Sequence, residues 1–138
     1  MIRGLRGATT VAANEVAQID ERTRELIRLL VELNGLRPED VGSALFTVTE
    51  DLDAAFPAVA ARGFVEWKDV PLLCAREIPV PGSLARCIRI LIHWNTERPQ
   101  TEIRHVFLRG ARRLRPEWAV RVPGDDEEEP LHLPGKKT

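Results

Sequence analysis

Only one stretch of this chain carries the repeat of a long helix, and that constrains every fold it can adopt. Between Glu15 and Asn34 the apolar residues Val16, Ile19, Leu26, Leu29, Leu30 and Leu33 recur near helical spacing, with Gly35 placed as a C-terminal stop. Asn14 is positioned as an N-cap. The opposite face alternates signs, Glu21 with Arg24, Glu25 with Arg28 and Arg28 with Glu32, which reads as a solvated face. The remaining patterned segments read as strands: "IRGLRGATTV" from Ile2, "GSALFTVT" over 42–49, "DVPLLCARE" over 69–77, "CIRILIHW" over 87–94 and "IRHVFLRGA" over 103–111. Between the second and third, Pro57 suits the first turn of a short helix. "IPVPG" after the third is a proline-rich loop. The expected fold class is α+β (α/β-like), a mixed five-stranded sheet packed against one long helix and short helices. One long helix covers one sheet face. The other face needs a partner, and a closed homo-oligomer is the simplest supply.

At 138 residues the chain is sized for one domain, with 43% hydrophobic and 30% charged residues. No apolar run is long enough to span a bilayer. "MIRGLRGATT" lacks the apolar core of a secretory signal, so the expected location is the cytoplasm. The net charge of −1 divides into −3 over residues 122–138, with five acids against two lysines, and +2 over residues 1–121. We therefore expect a domain over 1–121 and an acidic, mobile tail over 122–138. Bases comprise 17 arginines and 3 lysines. Arginine suits forked contacts with carboxylate or phosphate, although a GC-rich coding bias explains the count equally well. Scattered arginines, a net charge near zero and 5% aromatics argue against nucleic acid as a partner.

Most chemistries lack their residues. Ser43 and Ser83 are the only serines, and neither sits in a nucleophile elbow. There is no Walker-type loop and no G-x-G-x-x-G fingerprint. His93, His105 and His132 form no metal-ligand spacing, and no metal is expected. Cys74 and Cys87, also without such spacing, read as small hydrophobes in strands.

What remains is a set of charges in unlikely places: Arg6 in the first strand, Glu77 ending the third and Arg89 inside the fourth, with Arg62 in the short helix and Arg115 just before Pro116. Strand side chains alternate sides, so Ile88, Ile90, Ile92 and Trp94 share one face while Cys87, Arg89, Leu91 and His93 share the other. On the first strand Arg6 shares its face with Ile2, Gly4 and Ala8. A buried Glu77–Arg89 ion pair accounts for any single one of these charges as well as a functional site does. Three central strands each carrying one favour a pocket for a small anion, gripped by forked hydrogen bonds.

"MIRGLRGATTV", "LCARE" ahead of a proline/glycine loop, "RCIRI" after it and "IRHVFL…LRP" together resemble the monofunctional bacterial chorismate mutases of the trimeric pseudo-α/β-barrel class, from Met1 to about Trp118. The resemblance implies a homotrimer that rearranges chorismate to prephenate on the way to phenylalanine and tyrosine. This is a pericyclic [3,3] step without cofactor, metal or covalent intermediate. It also implies roles. Arg89 bridges the ether oxygen and the enolpyruvyl carboxylate, Arg6 clamps the second carboxylate, and Glu77 accepts from the ring hydroxyl and orients Arg89. Cys74 lies near that hydroxyl, and the backbone of Leu73, Cys74, Ala75, Arg76 and Glu77 lines the pocket. Phe56, Ala58 and Arg62 come from the neighbouring subunit, and Leu114 and Arg115 belong to a C-terminal segment closing near the substrate. The chain departs from the family at Phe107, where tyrosine is frequent, and at Val59, where lysine occurs. Loss of the tyrosine hydroxyl weakens binding by roughly 0.5–1.5 kcal/mol. The competing expectation is a non-catalytic trimeric protein that binds small anions on the same scaffold.

Overall fold

The computed structural model describes residues 1–125. In chain order the elements are β1 (Ile2–Thr10), α1 (Val16–Asn34), β2 (Val41–Val48), α2 (Pro57–Arg62), β3 (Leu72–Arg76), β4 (Cys87–Asn95) and β5 (Val106–Phe107). Short 3-10 turns occupy Arg109–Arg113 and Pro116–Trp118. The strands form one sheet in the order β3-β2-β4-β1-β5. β4 runs antiparallel to both β1 and β2, whereas β2–β3 and β1–β5 are parallel pairs. The sheet is therefore mixed, as expected, and β4 is its centre.

α1 lies where its periodicity places it. Leu26, Ile27 and Leu30 are buried with Leu5, Phe46, Ile90 and Ile92, and Ile19 with Val11, Leu52 and Ile88, each side chain worth about 1.5–3 kcal/mol of transfer free energy. Gly35 ends the helix in the left-handed conformation, φ 64°, with its amide donating to the Val31 carbonyl. Gly7 on β1 faces the helix, and a methyl group there would meet Leu26 and Leu30 at 3.0 Å. The helix approaches the sheet closely because that position is bare.

Several local expectations give way to tertiary contacts. Asn14 does not cap α1. Glu15 holds the N-cap position without a side-chain bond, while Asn14 Oδ1 accepts from the amides of Asp53 and Ala54. Val16 is exposed rather than part of the apolar stripe. The charged face of α1 is not wholly solvated: Arg22 is buried, and Glu25 pairs with Arg109 in a two-pronged contact of 3.0 Å per prong instead of with Arg28. Arg109 is itself left-handed, φ 53°, at the point where the chain leaves the sheet. β5 spans two residues, against the nine expected: it starts only at Val106, beyond the 3-10 turn at Gln100–Glu102, and the departure at Arg109 ends it. Past residue 121, Asp125 is buried and accepts from the Val122 amide at 2.6 Å. The rest of the acidic tail, 126–138, lies outside the described residues. No described helix is long and apolar enough to cross a membrane.

Candidate active site

β4 divides its side chains as its alternation demands. Ile88, Ile90, Ile92 and Trp94 are buried on the α1 side, while Arg89, Leu91 and His93 stand half-buried on the other face. Register brings neighbours to Arg89: Ala8 of β1 on one flank, Thr47 of β2 on the other. Arg6 pairs with Leu91, one diagonal step away on the same face. Ala8 opposite Arg89 leaves room for a long side chain. The small residues of "RGLRGAT" therefore have two uses, Gly7 admitting the helix and Ala8 admitting a guanidinium.

Glu77 follows β3, held by its amide donating to the Val48 carbonyl at 2.8 Å. Its carboxylate lies 3.3 Å from Arg89 Nε, without the alignment of a hydrogen bond, and accepts from Thr47 Oγ1. Both members keep about a quarter to a third of their surface, 26% for Glu77 and 31% for Arg89. The pair is therefore reachable by a ligand. Beside it, Cys87 is sealed from solvent. Burial pushes its thiol up to about 11, although the Arg89 guanidinium pulls the other way.

The remaining cations converge from the other side. Burial lowers the pKa of Arg6, and repulsion from Arg89 and then Arg115 lowers it further, outweighing attraction by Glu77. All three guanidiniums stay charged at neutral pH. Aromatic rings hold two of them. Arg115 lies 3.7 Å over the Trp118 ring, and Arg6 lies 5.4 Å from Phe107 and 5.9 Å from Trp118. Phe107 is wholly buried, packed with Ala8, Leu84, Cys87 and Ala111 and lined at its edge by Leu114 and Trp118. Leu114 thus docks the C-terminal segment onto the sheet, and Arg115 is further tied to Glu117 at 2.8 Å.

Other anticipated positions lie elsewhere on the chain. Cys74 pairs in register with Phe46 and packs on the α1 side, so its side chain is on the opposite face from Arg89. Leu73 and Ala75, in register with Leu45 and Thr47, share the face of Arg89, and both are exposed together with Arg76. Phe56, the N-cap of α2, and Arg62, its last residue, are exposed at the β3 edge of the sheet, whereas Arg6 lies on β1 beyond β2 and β4. Ala58 is buried within its own chain.

Sequence reasoning passed over Thr47, His105 and Trp118. Thr47 alternates correctly with Leu45, but only the β2–β4 register reveals that it meets Arg89. His105 and Trp118 matter through contacts with Arg6, 99 and 112 residues away in sequence, where no periodicity reaches.

Taken together, three cations, Arg6, Arg89 and Arg115, gather with two acids, Glu77 and Glu117, at the open sheet face, and the net positive charge suits a small dianion. The chorismate mutase type I family model matches residues 2–118. The chorismate mutase AroH of Thermus thermophilus is 53% identical over 118 residues, covering 85% of this chain and 96% of that protein. The chorismate mutase AroH of Bacillus subtilis is 44% identical over 120 residues, covering 87% of this chain and 94% of the relative. A solved chorismate mutase from Clostridium thermocellum superposes with a TM-score of 0.77 at 48% identity, over 80% of this chain and 97% of that one. The chain belongs to the chorismate mutase type I family.

Proposed function

We propose that this chain catalyses the rearrangement of chorismate to prephenate over Arg89, in a homotrimer whose sites lie at subunit interfaces. The observation that carries the reading is the cluster of Arg6, Arg89 and Arg115, whose charges repel one another on a face with Glu77 as the nearby acid. Such a cluster is costly unless a dianion completes it. Chorismate brings two carboxylates.

The reaction needs the enolpyruvyl arm folded over the ring, and its transition state gathers negative charge on the ether oxygen as the C–O bond breaks. Arg6 and Arg115 grip carboxylates and so hold the folded conformer. Arg89, anchored by the buried Ile88, Ile90, Ile92 and Trp94, presents a fixed charge to the ether oxygen. Glu77, aimed by Thr47, holds Arg89 in orientation and accepts from the ring hydroxyl. Phe107 has no hydroxyl and serves as the platform under Arg6. The open face becomes a pocket when a second subunit brings Phe56, Arg62 and the α2 backbone over it. Exposed Phe56, Val59, Leu73, Ile78 and Val80 supply the apolar surface for that contact. The expected compartment is the cytoplasm.

Purified protein mixed with chorismate removes the substrate's ultraviolet absorption faster than buffer does; no acceleration refutes the reading and leaves an anion-binding module. Arg89→Lys keeps one charge and loses the fork, and lowers kcat by ~10²–10³-fold with a smaller change in KM. A turnover number near wild type would show that Arg89 is not the transition-state cation.

A further inference from the structure

β5 is too short to complete the hydrogen bonding of β1, and a side chain fills the gap. The pairing covers Gly7 with Val106 and Ala8 with Phe107 only. One residue earlier, the Arg6 amide donates to His105 Nδ1 at 3.0 Å. The same imidazole sits against the Trp118 ring, centroids 3.9 Å apart. Trp118 in turn carries Arg115 at 3.7 Å and borders Arg6 at 5.9 Å. One ring therefore touches the backbone of one cation and the platform of the other. We propose that His105 is a positioning residue that sets Arg6 and, through Trp118, Arg115 for the substrate carboxylates. The inference rests on reading the arginine cluster as the chorismate site.

An Nδ1 that accepts from an amide must be unprotonated, so the arrangement exists only in the neutral imidazole. Its surroundings favour that form: burial, then Arg6 and Arg115, hold the His105 pKa below its ordinary 6.5. The charged groups around it are Arg6 from β1, Arg115 and Glu117 from the C-terminal segment, and Glu102 and Arg104 from its own loop. Of these, Glu102, Arg104 and Glu117 border with it an open hollow of about 450 Å³. Protonation turns the acceptor into a donor facing a donor and adds a third positive charge beside Arg6 and Arg115. Both effects push the clamp apart.

Two variants separate positioning from mere packing. His105→Phe keeps a ring on Trp118 and removes the acceptor. His105→Asn places an amide oxygen near the Nδ1 position and does not titrate. In wild type, KM for chorismate rises ~5–10-fold as pH falls through the histidine titration while kcat changes by less than ~3-fold, the pattern of lost uniform binding. The phenylalanine variant shows that raised KM at every pH, whereas the asparagine variant keeps the neutral-pH KM into acid. An asparagine variant that reproduces the wild-type acid rise overturns the proposal, as does a folded phenylalanine variant with wild-type KM. Titration calorimetry with malate, a dianion with no reaction to undergo, reads the same clamp without turnover. Malate binding without chorismate turnover refutes the chorismate reading, and the order of malate affinities, wild type and asparagine above phenylalanine, still decides for or against His105. Binding of neither ligand overturns both.

Discussion

At the scale of single residues, no guanidinium of this site has an unshared carboxylate as its sole support, and Arg115 has both the Trp118 ring and Glu117. Arg6 and Arg115 rest on aromatic faces, and Arg89 shares Glu77 with the hydroxyl of Thr47. A guanidinium fully neutralised by a carboxylate would have little attraction left for substrate. Thr47 matters in this scheme because its donation occupies one Glu77 oxygen and turns the carboxylate toward Arg89. Replacing Thr47 with valine preserves shape and removes that donor. The expected result is a fall of ~10-fold in kcat/KM, equivalent to a hydrogen bond to a charged group of about 1.5 kcal/mol, with the melting temperature nearly unchanged. Steady-state kinetics beside a thermal melt would check both halves of that statement.

At the scale of elements, β4 and β1 are two-sided: one face is a core and the other a site. The separation is sharp because strand alternation sends consecutive side chains apart. Leu5, Gly7 and Thr9 are buried opposite the face that carries Arg6 and Ala8. A change on the core face therefore alters stability and leaves the chemistry of the site intact. Gly7→Ala tests this. Its new methyl would contact Leu26 and Leu30 at 3.0 Å and Ile90 at 3.2 Å, tighter than side chains in a packed core normally tolerate. Overpacking of that kind costs about 1–3 kcal/mol. We expect the denaturant midpoint to fall at unchanged slope, while KM at a temperature well below unfolding stays within ~2-fold of wild type. The last element is held differently. The fork between Arg109 and Glu25 ties the 109–113 turn to α1, and the Thr10 hydroxyl accepts the Gly110 amide at 3.0 Å. These two anchors fix where the segment bearing Leu114 and Arg115 begins.

At the scale of the whole molecule, the sheet has one helix-covered face and one face that is open in the chain described here. Leu91, Leu45, Ser43 and His93 are half-exposed on it, and Leu73 is 67% exposed at its β3 side. Ile78 at 80% and Phe56 at 68% extend the apolar surface along that edge. This much exposed apolar surface fits an assembled protein. A trimer of 15.5 kDa chains is expected in sedimentation analysis, and Leu73→Asp, which leaves an uncompensated charge in the contact, is expected to sediment as a smaller species. Under the proposed trimeric reading, in which Phe56 and Arg62 complete a neighbour's site, chorismate turnover should disappear in step with the trimer. A Leu73→Asp protein that remains trimeric would place the contact elsewhere.

The local features of this chain are legible in its sequence. Helical spacing from Val16 to Asn34, the glycine stop at residue 35 and the alternation in β4 are properties of neighbouring residues, and neighbouring residues are what a sequence displays. The placement of Arg89 opposite the isoleucines followed from alternation alone. Pairings across the chain did not. Asn14 with Asp53, Glu25 with Arg109 and Arg6 with His105 are separated by 39, 84 and 99 residues. A nearby candidate existed for the first two, the α1 N-terminus for Asn14 and Arg28 for Glu25. The folded chain chose differently because sheet register and the left-handed turn at Arg109 bring distant groups together at no further entropic cost. By itself, then, the sequence determined the long helix, the alternation of the central strand and which charges stand out of place, but not the extent of the last strand. Only the tertiary structure decided which of those charges meet, because a meeting depends on strand order and register, and these arise from packing the whole sheet against α1.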